Sequence, residues 1–299
     1  MFLFVELVLL PLYAIEENDT SSGRWIVWSG KGAPSWEHAF VTGNGRQGTM
    51  VMGHTNDERI ICVHEELFIR SWDHNKVTVP KTAHLLSKVR RLMETGHSGK
   101  ASRLFTEEAD KQLKEMGASQ RWPLIPHPAF DFHIQMDGNT EKGAISHYRR
   151  QLDLETGVTS SLWNDHEGGM TESVFSSRKH NVNVILLKGR DGRKINATIG
   201  LEETPGRHGS HFEHDLDKAF SSVTSSASPG WLCYHAEYSK DPGGYDGLAR
   251  ISLRGGKMTC QGNRLRIEGA DEVLAVVRIT PLLDGEKSSE QKVKKELAG

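Results

Sequence analysis

Apolar positions recur at every second residue through much of this chain. Phe130, Phe132, Ile134 and Met136 alternate with Asp131, His133 and Gln135, the period of a strand with one buried face. Val158, Ser160 and Leu162 repeat it ahead of the turn-forming stretch 164–169, and 170–175 returns from that turn. Further strands are expected from 182, at 195–201, 232–238, 249–253 and 273–279, with a hairpin at 257–267 about Gly262-Asn263. Residues 24–79 carry short apolar runs broken by Gly and Asn, the pattern of paired strands. Turn signals every ~8–12 residues point to a sandwich or barrel and not to alternating βαβ units.

The period changes once. In 80–93, Leu85, Leu86, Val89, Leu92 and Met93 form a single helical stripe, with Pro80 suited to a first turn and Gly96 to a stop. A second helix is expected over 98–116, with Ala101, Leu104, Phe105, Ala109, Leu113 and Met116 inward and Gly117 closing it. The Ser-, Gly- and His-rich stretch 204–230 reads as a surface loop with a short helix about 216–220. Residues 286–297 read as a solvated helix start or linker. These signals predict a mainly β chain: a large antiparallel β-sandwich with the 81–116 helical hairpin packed on it.

Composition narrows the function classes. A net charge of −2 over 299 residues provides no basic field for nucleic acid. The first 14 residues, MFLFVELVLLPLYA, are too short to span a bilayer but match a secretory h-region in length. Glu6 within the run and the missing basic start depart from a clean signal, so a first strand is the competing reading. The sequons at Asn18 and Asn196 favour export, and glycosylation is expected at both. A secreted or extracellular location is therefore expected, with the cytoplasm as the alternative and no membrane partner. The domain organisation expected is a leader at 1–23, a β-sandwich at 24–285, and the start of a linker at 286–299.

The motifs that carry chemistry elsewhere fail on context. The stretch 43–48, GNGRQG, is a literal G-x-G-x-x-G, but a strand-like run follows it where a dinucleotide site needs a helix. Asn44-Gly45 instead signals a hairpin. His208, His211 and His214 have a spacing conceivable for a metal, yet sit in the polar loop and match no metal signature, so no metal is expected. Adjacent Glu65 and Glu66 point to opposite faces of a strand and cannot form the facing carboxylates of a glycosidase. Cys62, Cys233 and Cys260 lie in strand-like apolar contexts and read as small core residues, with a 233–260 disulfide open to an exported protein. No self-sufficient catalytic set appears.

Several segments taken in order resemble glycoside hydrolase family 95, the α-L-fucosidase family. They are FVTGNGRQGTMVMG at 40–53, ERI at 58–60, VHEELF at 63–68, VRRLM at 89–93 with KASRL at 100–104, YRRQLDLETGV at 148–158, and TESVFSS at 171–177. Gln47 stands where that family has an aliphatic residue, and His64, Phe68 and Ile69 also depart from its pattern. The resemblance implies a super-β-sandwich that precedes an (α/α)6 barrel. That barrel carries the catalytic carboxylic acid and the water-activating site, and it would remove terminal fucose by inversion without metal or organic cofactor. The barrel is absent from this chain, so no catalytic residue carries over, and a glycan substrate would be met through the missing domain. Asn44, Arg46, His64, Glu65 and Phe68 are the expected substrate or domain-interface residues. The second reading is a stand-alone carbohydrate-binding or protein-interaction module. In it, tryptophans such as Trp25, Trp28, Trp36 and Trp72 either supply stacking faces or lie in the core.

Overall fold

The computed structural model describes residues 25–70, 79–117, 124–137, 145–205, 219–239, 242–283, 286 and 288–298. Two compact units emerge. One draws on the chain up to Leu67 and from Pro126 onward, and the other comprises Phe68–Ile125.

The larger unit is the predicted antiparallel sandwich. Its first sheet has nine strands in the order β1 (Ile26–Ser29), β8 (Ser146–Asp153), β9 (Val158–Asp165), β10 (Gly168–Ser177), β11 (Val182–Arg190), β18 (Glu272–Leu282), β15 (Gly244–Arg254), β14 (Trp231–Tyr238) and β13 (Phe220–Ser228). The second has seven, in the order β16 (Lys257–Gln261), β17 (Arg264–Ala270), β12 (Ile195–Glu202), β7 (Phe130–Met136), β4 (Asp57–His64), β3 (Gln47–Val51) and β2 (Phe40–Gly43). The alternation read in β7 puts Phe130, Phe132, Ile134 and Met136 into the core, where they join Ile195, Ile199 and Leu201 of β12. Met170, Val174, Ile185, Leu187, Val273, Val277 and Ile279 supply the apolar face of the other sheet. Full burial of such side chains stabilises by about 1.5–3 kcal/mol each, which makes this inter-sheet layer the main source of stability.

Turn chemistry sets the register. Gly45 takes φ +93° between β2 and β3, and Gly262 takes φ +61° between β16 and β17. At the first turn Asn44 keeps its backbone out of the left-handed region and contributes its side chain, whose Oδ1 accepts from the N–H groups of Arg46 (2.8 Å) and Gln47 (2.9 Å).

Two readings need correction here. The stretch expected to be loop up to 230 contains β13, with Phe220 as its first residue; Leu216 lies outside the described residues. An edge strand written FSSVTSSAS faces water and lacks the apolar alternation that betrays inner strands. The cysteines also divide: Cys62 and Cys233 are buried, whereas Cys260 is exposed on β16, and all three are free. Cys233 lies on the nine-stranded sheet and Cys260 on the seven-stranded one, and the two are not paired.

The chain then adds α3 (Glu290–Ala298) to the outer face of the nine-stranded sheet. Helix was expected there, but solvated. Instead Val293 and Leu297, 2% and 7% exposed, pack on Val182, Val184, Cys233, Leu248 and Val276. Asp246 of β15 anchors the start of this helix, accepting from Ser288 Oγ (2.9 Å), Ser289 Oγ (2.9 Å) and Ser289 N.

The smaller unit contains β5 (Phe68–Arg70), which pairs with β6 (Leu124–Pro126), and the helices α1 (Leu86–Glu94) and α2 (Ser98–Glu115). A 3-10 turn at Ala83–Leu85 precedes α1, so the helix begins six residues after Pro80. Gly96 and Gly117 close the two helices at positive φ, as expected. Ala101, Ala109 and Leu113 are buried, but Leu86, Met93, Phe105 and Met116 are exposed, contrary to the inward placement expected for Phe105 and Met116.

Candidate functional site

The residues singled out at the β2–β3 turn are mostly structural. Asn44 Nδ2 donates to Ser177 O (2.9 Å) and Asn181 Oδ1 (3.1 Å), so it ties this hairpin to the β10–β11 turn. Gln47 is buried because its amide is satisfied. Its Nε2 donates to Asn181 O, and its Oε1 accepts from Ile279 N at 3.2 Å. An aliphatic residue could not make either bond. Arg46 and Glu65 are exposed and face each other at 4.0 Å, a pair contributing under about 1 kcal/mol. His64 is buried, and its Nδ1 accepts from Glu66 N at 3.2 Å. Burial, partly offset by Glu66 and Glu65, holds its pKa below the usual value. Phe68 is half-buried at the start of β5 in the smaller unit. Asn196 lies at a bulge where β12 meets β17, and its Oδ1 accepts from Gly269 N at 2.9 Å, leaving Nδ2 without a partner among the described residues. Asn18, Trp72, His208, His211 and His214 fall outside the described residues.

Sequence reasoning passed over a buried polar knot between the sheets. Glu172, Ser161 and Arg150 stand abreast on β10, β9 and β8, all facing inward. Across from them Glu58 of β4 accepts from Met52 N and Gly53 N, both at 3.0 Å, and from His54 N. Tyr148 Oη donates to Gly53 O, and the Arg150 guanidinium donates to the carbonyls of Lys31 (2.7 Å) and His38 (3.0 Å). Burial and then the Glu172 charge push Glu58 well above the ordinary carboxyl range, and burial lifts Glu172 to about 8. At neutral pH the knot therefore holds a proton. The signal was present in the sequence, since Met170, Glu172 and Val174 share one face by period two.

This pair has the pKa behaviour of catalytic acids but not their setting. Carboxylates that cleave a glycosidic bond flank a substrate across ~5–9.5 Å of open space. Glu58 and Glu172 are enclosed, with 3% and 2% exposure. Glu58 braces the turn at 52–54, and Glu172 stands beside it with its Oε1 unpartnered.

The outer face of the seven-stranded sheet is charged. His133 lies between Glu202 Oε2 (2.9 Å) and Asp57, and Arg59 reaches Asp131 (3.2 Å) and Glu202 (3.5 Å). Arg264 pairs with Glu202, and Arg266 pairs with Asp137 through both guanidinium nitrogens. A groove of about 530 Å³ runs here between Gln135, Thr198, Gln261, Arg264 and Arg266. Both of its arginines already have carboxylate partners. Among the described residues no group of three or more His, Cys, Asp or Glu could hold a metal, and no helix is long and apolar enough to cross a membrane.

The sequence relatives fit this architecture. A stretch of 180 residues, 59% of this chain, is 27% identical to Alpha-L-fucosidase 2 of Arabidopsis thaliana, and 163 residues are 28% identical to "Probable alpha-fucosidase A" of Aspergillus oryzae. The chain spans about a fifth of the length of these two relatives, since each match covers 20% of the longer protein. A human-microbiome protein assigned as a kojibiose phosphorylase shares the fold, with a TM-score of 0.50 at 10% identity over 92% of this chain and 35% of its own. The family profile described as "Glycosyl hydrolase family 65, N-terminal domain" matches residues 27–281. Because that match runs over most of the two-sheet sandwich, the chain belongs to the glycosyl hydrolase family 65 N-terminal domain family.

Proposed function

We propose that this chain is the N-terminal β-sandwich of an α-L-fucosidase-like glycoside hydrolase that acts on fucosylated glycans. The observation that carries the reading is that both curated relatives bear α-fucosidase names. The ordered motifs at 40–53, 58–60, 148–158 and 171–177 support it, because each lies on a strand or turn of the same sandwich. On this reading the sandwich supplies no reacting group. Its raised pair of glutamates, Glu58 and Glu172, is sealed between the sheets, and on this reading the carboxylates that protonate the leaving oxygen and activate water belong to a following domain. Secretion fits the apolar first 14 residues and the Asn196 sequon, whose amide nitrogen is unpartnered. No metal or organic cofactor is needed for such a reaction.

The test is to extend the chain with whatever coding sequence lies downstream of Gly299 and to assay fucose release from 2′-fucosyllactose. Gain of hydrolysis by the extended protein, lost on substituting carboxylates in the added part, is expected. An extended protein that cleaves only non-fucosylated disaccharides such as kojibiose would overturn the fucosidase reading and leave the family intact.

A further inference from the structure

The tryptophans of the first strands divide in an unexpected way. Trp25 and Trp28 are 75% and 62% exposed although Trp28 lies within a paired strand. They face opposite sides of the sheet. Trp25 and Val27 share the inward side with Leu154, all exposed at the sandwich edge and apolar. Trp28 lies on the outward side, in a row with Gln151 of β8, Ser160 of β9 and Ser173 of β10, each paired with the one before.

Beside Trp28 stands Arg149. Its guanidinium carbon lies 5.3 Å from the Trp28 ring centroid. A register shift between Ser146 and Arg149 aims it there, with His147 at φ +52° inside the bulge. Arg149 Nε is buried and has no hydrogen-bond partner. In addition, no ion pair of Arg149 exists among the described residues.

From this juxtaposition we propose that Trp28, Arg149 and Gln151 form a saccharide-binding subsite on the outer face of the nine-stranded sheet, near its β1 edge. Three features converge on one ligand class. The exposed indole offers a flat apolar face to the C–H side of a pyranose ring. The half-buried Arg149 guanidinium, with no ion pair among the described residues, offers N–H donors to ring hydroxyls. Gln151, directly opposite Trp28, offers both an amide donor and an amide acceptor to neighbouring hydroxyls. A protein partner would be expected to use apolar neighbours, and those lie on the other side of the sheet with Trp25, Val27 and Leu154. The subsite involves no bond-breaking step. It rests on the carbohydrate reading above for its ligand class, but binding is measured separately from hydrolysis.

The experiment is isothermal titration of the 299-residue chain with 2′-fucosyllactose, kojibiose and cellohexaose, repeated on Trp28→Ala, Arg149→Lys and Trp25→Ala. At least one sugar should bind with millimolar affinity. Trp28→Ala should weaken it about tenfold or more, and Arg149→Lys severalfold, because a lysine lacks the planar fork of donors that a guanidinium presents. Trp25→Ala should leave affinity unchanged. Thermal melting of Trp28→Ala within a few degrees of the parent shows that the loss is not unfolding. Binding that survives Trp28→Ala would overturn the placement while leaving the carbohydrate reading intact. Absence of binding by all three sugars would overturn the proposal itself.

Discussion

The two sheets deal with their outer faces by opposite means. On the nine-stranded sheet, Val182, Val184, Cys233, Leu248 and Val276 point outward and must be covered, and α3 covers them with Val293 and Leu297. On the seven-stranded sheet the outward positions are Asp57, Arg59, Asp131, His133, Glu202, Arg264 and Arg266, which satisfy one another. An apolar face borrows its cover from another part of the chain, so its stability depends on a segment beyond the last strand. A charged face supplies its own partners: Asp131 and His133 are buried within the network while Asp57 stays largely exposed.

The contrast breaks most visibly at α3. Val293→Asp with Leu297→Asp should lower stability by about 3 kcal/mol or more, since two core contacts are lost and two charges are driven onto an apolar surface. Urea titration reads this directly. A loss below ~1 kcal/mol would mean that the sheet tolerates an uncovered face.

Between the two faces lies the proton-holding knot, whose own response to pH is isolated by substituting Glu172. The Glu172 pKa is raised in the folded state, to about 8. Its contribution is fully present below the ordinary carboxyl pKa and is lost as pH rises through about 8. Thermal stability should therefore decline between pH 5 and pH 8. Glu172→Gln, which cannot ionise, should flatten that decline, with a gain of a few kcal/mol at pH 8 that disappears towards pH 5. Parallel melting curves for the two proteins across this window would contradict the buried-proton account.

The smallest effect is expected on the charged face. The hydrogen bond to His133 lowers the Asp57 pKa, so its contribution is present above the ordinary Asp pKa and is lost as pH falls through the folded value. Asp57 is largely exposed. Asp57→Asn should accordingly cost under about 1 kcal/mol at pH 7, and less in 0.5 M salt. Chemical denaturation at two salt concentrations measures it.

These same contrasts explain what could be read in the sequence. Inner strands such as β7 and β12 announce themselves because one face is apolar and the period is two. Turns at Gly45 and Gly262 are legible because positive φ selects glycine. β13 was hidden because an edge strand has no buried stripe, and the cover role of α3 was hidden because only Val293 and Leu297 are apolar among charged neighbours. The candidate site was less legible than the fold. Asn44 was chosen for its turn and proves to be a tether, while Gln47 looked like a departure and is a satisfied buried amide. The settings of Glu172 and Trp28 were not legible, because each depends on which face of the sheet it occupies and on what stands opposite.

The proposal at the centre is that this glycoside hydrolase N-terminal sandwich leaves the bond-breaking step to another domain. Incubating the purified 299-residue chain with 2′-fucosyllactose and measuring free fucose tests it most directly. The account predicts no release above buffer at any pH between 4 and 8. Release that persists through purification and is abolished by a substitution within this chain, such as Glu65→Gln, would contradict it.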